Sequence, residues 1–260
     1  MKRREFIAGS CLAGLASLSD TAGAADEGPE SGKEFYELRT YRLDSESKKE
    51  QFMAFLGTAA ISALNRIGIA PVGVFVAADG DAQDVHVLLP HKSLESVVMA
   101  TARLMADEKY LEAGAELLGT AKSDAAYSRI ESSLMVAFDG LPKLETPSKN
   151  ASRVFQLRTY ESHNVKAGQL KIEMFNTGGE IAIFRRTGLH PVFFGETLIG
   201  GKLPNLTYMV GFDDRAASEG AWKKFGDDPD WKALRVNPRY KDTVSNIVNT
   251  FLHPASCSQI

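Results

Sequence analysis

Cysteine is scarce: the 260 residues contain two, Cys11 and Cys257. Cys11 falls in an N-terminal segment read below as removed, so no intrachain disulfide staples the mature chain and stability rests on a packed core. An excess of one charge is also missing. The formal net charge of −3 supplies no basic field for nucleic acid or for an anionic lipid surface. Beyond the N-terminus no apolar run approaches the roughly 20 residues that span a bilayer. Five histidines and one remaining cysteine show no His-x-His, His-Glu-x-x-His or Cys-x-x-Cys spacing, so no metal and no other cofactor is expected. Nucleophile elbow, P-loop and dinucleotide-binding glycine patterns are lacking too. What remains is an ordinary globular composition, 44% hydrophobic and 24% charged, which excludes disorder as the main state.

The first residues read as an export signal rather than as fold. "MKRREFIAGSCLAGLASLSDTAGAA" has a basic start, a short apolar middle and an Ala-x-Ala site at Ala22-Gly23-Ala24. Arg3 and Arg4, followed by Phe6 and Ile7, fit a bacterial twin-arginine signal. Residues 1–24 are therefore expected to be cleaved, and the mature protein to be periplasmic or secreted.

"ELRTY" at Glu37–Tyr41 returns as "QLRTY" at Gln156–Tyr160, an offset of 157 − 38 = 119. "GIAPVGVF" from Gly68 matches "GLHPVFFG" from Gly188, and "DVHVLLP" from Asp84 matches "NLTYMVG" from Asn205, at offsets of 120 and 121. Near-constant spacing over three blocks is the mark of a duplicated unit. We place the copies at residues 34–138 and 153–254, joined by the Pro- and Ser-rich linker 139–152.

Each copy resolves into the order βαββαβ. Alternation rich in aromatic residues predicts a strand at 34–43. Strands at 70–77 and 85–89, separated by the turn-forming "ADGDAQ", and at 127–138 follow, and the second copy is read in the same order at 153–161, 190–198, 205–212 and 243–252. Helical spacing predicts helices from the Ser45 region to Gly68, over 93–119, over 167–187 and over 215–236. Ser47 and Glu50 are expected to form a capping box, Gly68 a C-terminal stop, and Asp228-Pro229 a fresh helix start. This is the ferredoxin-like order, so the fold class is α+β with tandem ferredoxin-like domains. Its sheet carries helices on one face, and two bare faces covering each other give a dimeric α/β-barrel-type arrangement. Whether the sheets pair within one chain or between chains is left open.

Period-two alternation then sorts the repeated strand. Tyr36, Leu38 and Thr40 are assigned to the helices; Glu37, Arg39 and Tyr41, with Gln156, Arg158 and Tyr160, are assigned to the barrel interior. Arg39 has Glu37 as a partner, whereas Gln156 offers Arg158 no charge. Arg39, Tyr41, Arg158 and Tyr160 are thus candidate ligand-binding residues for an apolar or anionic molecule. His190, where the first copy has Ala70, is a fifth candidate, as a base or an axial haem ligand. His86 is read as packed or hydrogen-bonded, His91, His163 and His253 as loop residues, and Trp222 and Trp231 as packing.

The strand "QLRTY", the block "TGLHPVFFGETLIG" (Thr187–Gly200) and "DDPDW" (Asp227–Trp231) resemble the NIPSNAP family, which belongs to the dimeric α/β-barrel superfamily. The first copy departs from it with "DEKY" at Asp107–Tyr110, and Ser218 stands where the family carries an arginine. The resemblance implies no agreed reaction: some family members act through partner binding, and superfamily relatives include cofactor-independent monooxygenases, isomerases and haem-binding enzymes. The expectation is a non-catalytic binding module for a small molecule or a protein partner, self-associating, with a cofactor-independent monooxygenase or isomerase as the alternative.

Overall fold

A computed structural model describes residues 32–79 and 83–260; the expected export segment lies outside the described residues. Gly32–Ile260 forms one compact unit. The first repeat runs β1 (Phe35–Arg42), α1 (Glu46–Phe55), a π turn at Leu56–Ala60, α2 (Ile61–Arg66), β2 (Gly73–Ala77), β3 (Val85–His91), α3 (Leu94–Met105), α4 (Glu108–Ala113), α5 (Ala115–Leu118) and β4 (Arg129–Ala137). The second runs β5 (Val154–Glu161), α6 (Val165–Phe175), α7 (Glu180–Thr187), β6 (His190–Ile199), β7 (Asn205–Phe212), α8 (Arg215–Asp227), α9 (Pro229–Leu234) and β8 (Asn246–Pro254).

Local chemistry sets these limits in matched pairs. Ser45 and Asn164 cap the first helix of each repeat, accepting from the backbone N–H of Lys48 and Ala167. Ser93 and Asp214 cap the second, and Asp107 and Asp228 cap a third start that accepts from Tyr110 and Trp231. Side-chain acceptors at these positions satisfy N–H groups that lack a partner inside the helix. The expected cap at Ser47 is corrected to Ser45, whose extended φ of −160° ends the strand connection two residues earlier. The single helix expected over 93–119 breaks at Asp107, and the stretch 215–236, expected to break at Gly226, runs on through Asp227 and breaks at Asp228. The helix over 167–187, where Gly178-Gly179 is expected to interrupt it after Phe175, does end at Phe175 and restarts at Glu180 after Gly179, whose φ of +88° suits a residue without a Cβ. Gly68 (φ +86°) does end the first helix, with the Ile69 N–H donating to the Leu64 carbonyl at 3.0 Å. His91 and His253, expected in loops, belong to β3 and β8.

Eight antiparallel strands close a barrel in the order β1-β3-β2-β8-β5-β7-β6-β4. The open question of pairing is answered within one chain. β2 meets β8 through Phe75↔Pro254 and Ala77↔Leu252, and β4 meets β6 through Met135↔Thr197 and Ala137↔Gly195. Both repeats fill the interior: Tyr36, Phe75 and Met135 pack with Phe155, Phe193 and Met209 in one cluster. Two further clusters lie between sheet and helices, one in each repeat.

The facing of the repeated strand is opposite to the expectation. Tyr36, Leu38, Phe155 and Leu157 point into the barrel, whereas Tyr41 and Tyr160 pack under the helices. Arg39 and Arg158 share the face of Tyr41 and Tyr160, because side chains two apart on a strand point the same way. The physical reason is volume. Closing eight strands leaves a core that bulky side chains fill, and Tyr36, Phe155 and Phe193 fill it, while the Glu37–Arg39 pair finds polar partners on the helix side.

Candidate functional site

Arg39 stands on β1 beneath the helices of the first repeat. Its Nε and Nη2 donate to the two carboxylate oxygens of Glu37 at 2.7 and 2.8 Å, a bidentate pair of the strong, charge-assisted kind. Ser132 on β4 donates to Glu37 Oε1 at 2.7 Å. His91, wholly buried, brings Nε2 to 3.7 Å from Glu37 Oε2, an electrostatic contact too long for a hydrogen bond. Burial pushes the Glu37 carboxyl up, but the His91 ring, Arg39 and Ser132 outweigh it and hold it at about 2. Burial likewise lowers the Arg39 guanidinium, and Glu37 with Tyr41 more than reverses this.

Above this pair lies a cavity of about 480 Å³ between sheet and helices, within the range of small-molecule sites. Arg39 and Tyr41, Tyr110 and Tyr127 line it together with the exposed Lys122 and with Thr101 and Thr120; Phe55, Leu104, Met105 and Ile130 are among its apolar walls. Arg39 Nη1 approaches the Tyr41 hydroxyl at 3.5 Å. Burial pushes the Tyr110 phenol up, with Tyr41 adding to the rise and Arg39 opposing it. The site therefore offers an already paired guanidinium and several hydroxyls to a mainly apolar guest.

The same volume in the second repeat is full. Capping residues and strand registers of the two repeats match at an offset of 121 from β3 to α4, as Asp107 and Asp228 illustrate. That offset sets Trp222 against Thr101, Phe225 against Leu104 and Trp231 against Tyr110. Phe184, Trp222, Phe225 and Trp231 pack edge-to-face or tilted at centroid separations of 4.4 to 5.8 Å, favoured arrangements for aromatic pairs. Trp222 Nε1 donates to Gln156 Oε1 at 2.6 Å. Its ring also covers the Arg158 guanidinium at 4.7 Å from the centroid, a cation–π contact that stands where Glu37 stands for Arg39. Deeper in, Lys171 Nζ and Glu180 Oε2 pair at 2.7 Å, both almost fully buried; burial raises the Glu180 carboxyl and Lys171 opposes the rise.

The five candidate residues thus divide. Arg39 and Tyr41 share the first-repeat cavity, Arg158 and Tyr160 lie under the aromatic cluster of the second repeat, and none of the four faces the barrel interior. His190 is exposed at the start of β6, opposite Gly211, and lies in neither set; an exposed strand-start imidazole does not fit an axial haem ligand. His86 donates to or accepts from Thr40 Oγ1 at 3.0 Å. Among the described residues no group of three or more His, Cys, Asp or Glu side chains converges to hold a metal ion. No helix among them is long and apolar enough to cross a membrane. Thr101, Leu104 and Tyr110 were missed at the level of sequence. Their signal is the replacement of large residues by smaller ones at one fixed offset.

Comparison with known proteins bears on the whole barrel. The "putative monooxygenase" structures from Lactobacillus acidophilus NCFM and Fusobacterium nucleatum subsp. nucleatum superpose with TM-scores of 0.56 and 0.57 at 9% and 7% identity. Each covers 85% of this chain, and 94% and 92% of its own; at such identity the likeness is one of fold. A NIPSNAP-like domain protein from Burkholderia xenovorans is 21% identical, with a TM-score of 0.37 over 41% of this chain and 89% of its own. No curated protein matches the chain. The profile of the NIPSNAP family matches twice, over residues 36–139 and 155–259. The chain belongs to the NIPSNAP family and carries its domain in two tandem copies.

Proposed function

We propose that this protein is a binding module whose first repeat holds a small, mainly apolar molecule with one polar end, without chemistry of its own. The observation that carries this reading is the asymmetry between the repeats. One fold built twice is filled with aromatic rings over Arg158 in the second copy and left hollow over Arg39 in the first. Arg39 is already paired with Glu37, so the reading favours a neutral carbonyl or hydroxyl at the polar end over a full anion, which would compete with that carboxylate. Supporting a catalytic alternative, a cofactor-independent monooxygenase or isomerase, is the barrel likeness to proteins carrying the monooxygenase name, together with phenols that would face a desolvated guest.

Native mass spectrometry of the purified full chain tests the binding reading. Wild type is expected to carry a bound small molecule or to take up 1-naphthol. Thr101→Trp, which installs the second repeat's indole over the cavity, is expected to lose it while keeping the fold by circular dichroism. Equal occupancy in Thr101→Trp would remove the cavity from consideration. Turnover of 1-naphthol in the presence of dioxygen would favour the alternative. Export, proposed from the twin-arginine pattern, predicts periplasmic protein whose N-terminus begins after Ala24.

A further inference from the structure

The barrel interior is filled at one end and hollow at the other. Tyr36, Phe75, Phe155 and Phe193 occupy the end at which β1 and β5 begin. Where those strands finish, a second cavity of about 580 Å³ lies among Thr40, Ser133, Met135, Thr159 and Thr207. It sits on the opposite face of the sheet from Arg39, and both repeats build it. A closed barrel of eight strands is ordinarily filled by its own side chains, so a hollow end needs a reason.

Its wall chemistry is rich in hydroxyls and balanced in charge. Thr159 Oγ1 and Thr207 Oγ1 lie 2.9 Å apart, and Thr40 Oγ1 lies 3.0 Å from His86 Nδ1. Each hydroxyl that makes one such bond retains capacity for another. At the rim Glu131 is matched by Arg42 at 3.3 Å and Lys202 by Glu161 at 3.8 Å. Leu38 and Met135 supply an apolar floor.

One wall is a loop held in place by buried side chains. Asn205 donates to the carbonyls of Gly201 and Lys202 at 3.0 and 3.1 Å and accepts from Thr197 Oγ1 at 2.6 Å. Lys202 is held at φ 60°, the left-handed region that a lysine seldom adopts. A Cβ on Gly200 would come within 2.6 Å of Ser133 Oγ, so glycine lets the backbone close on the hydroxyl wall. Backbone held in a sparsely populated region over a polar hollow is a feature that clusters at ligand sites.

We propose that this barrel-end cavity binds a small, neutral, polyhydroxylated molecule of about monosaccharide size, independently of the guest in the first-repeat cavity. Ring hydroxyls would meet Thr40, Ser133, Thr159 and Thr207, and a C–H face would lie on Leu38 and Met135. The paired rim charges disfavour a charged ligand, which would have to compete with a partner already in place.

Methyl and amide NMR of the full chain, titrated separately with D-glucose, D-ribose, glycerol and benzoate, decides the matter. At least one polyol is expected to give saturable shifts at Leu38, Met135, Thr159 and Thr207, and benzoate to give none there. Thr159→Val keeps the shape of the side chain but loses its hydroxyl, and is expected to weaken binding about tenfold. Ser133→Ala on the facing wall serves as a second variant should Thr159→Val disturb the fold. Thr101→Trp, which fills the other cavity, should leave the polyol response unchanged. Absence of saturable shifts with all three polyols, undiminished binding in both wall variants, or a stronger response to benzoate would each overturn the proposal.

Discussion

Replacing Glu37 by glutamine gives the first repeat the residue that the second already carries as Gln156, but without an indole to cover the arginine. The folded carboxyl is held at about 2 against an ordinary value of 4.5. That difference corresponds to a stabilisation on the order of 3 kcal/mol, since each pKa unit is about 1.4 kcal/mol. Side-chain exposures of 20% for Arg39 and 11% for Glu37 leave solvent little room to screen the pair. Removing one member of a buried pair costs about 3–5 kcal/mol by an independent route, so the two figures agree. The sign follows from the folded value lying below the unfolded one. The contribution is complete above about pH 4.5 and is lost as pH falls through about 2. Urea unfolding followed by tryptophan fluorescence at about pH 7, 4.5 and 2 is the assay. Glu37→Gln should be less stable than wild type by about 3 kcal/mol at neutral pH, with the gap narrowing as pH approaches 2. Glutamine does not titrate, so the difference separates Glu37 from every other carboxylate. A gap below about 1 kcal/mol at neutral pH, or one that persists unchanged at pH 2, would refute the account of this pair.

Lys171→Met should cost about 3–5 kcal/mol by stranding Glu180 in the core, and adding Glu180→Leu should recover most of it; chemical denaturation of both variants checks this. Phe194→Ala, at the centre of the second repeat's rings, should lose about 3–5 kcal/mol in the same assay. Asn164→Ala removes a helix cap, costs about 1 kcal/mol, and should lower Tm by roughly 2–4 °C in calorimetry. Self-association, proposed from the sequence, predicts a mass above that of one chain in light scattering; a monomeric mass would end that proposal.

The strands and their duplication were legible because the repeated "LRTY" strand alternates and three blocks recur at a near-constant spacing: 153–161 was expected for β5 and Val154–Glu161 is found. The start at Asp228-Pro229 was legible too, since an acceptor followed by proline has few other uses. Facing was not. Alternation says that Glu37, Arg39 and Tyr41 share a side, and it is unchanged when the strand is turned over. Only the competition between Tyr36 and Arg39 for a closed interior decides, and that requires knowing what the other seven strands contribute. The first-repeat cavity was hidden for a similar reason. Thr101 and Leu104 are unremarked helix residues until they are set against Trp222 and Phe225, so the site is written as a difference between copies rather than as a motif.

The seams between β2 and β8 and between β4 and β6 join halves of a single polypeptide. Two identical subunits closing such a ring would receive every mutation in duplicate, so that hollowing one would hollow the other and both would lose their aromatic filling. Fusion removes that constraint: one half can act as ballast while its twin is free to change. It also makes closure a first-order event, so ring formation should proceed at a rate that does not change when the solution is diluted.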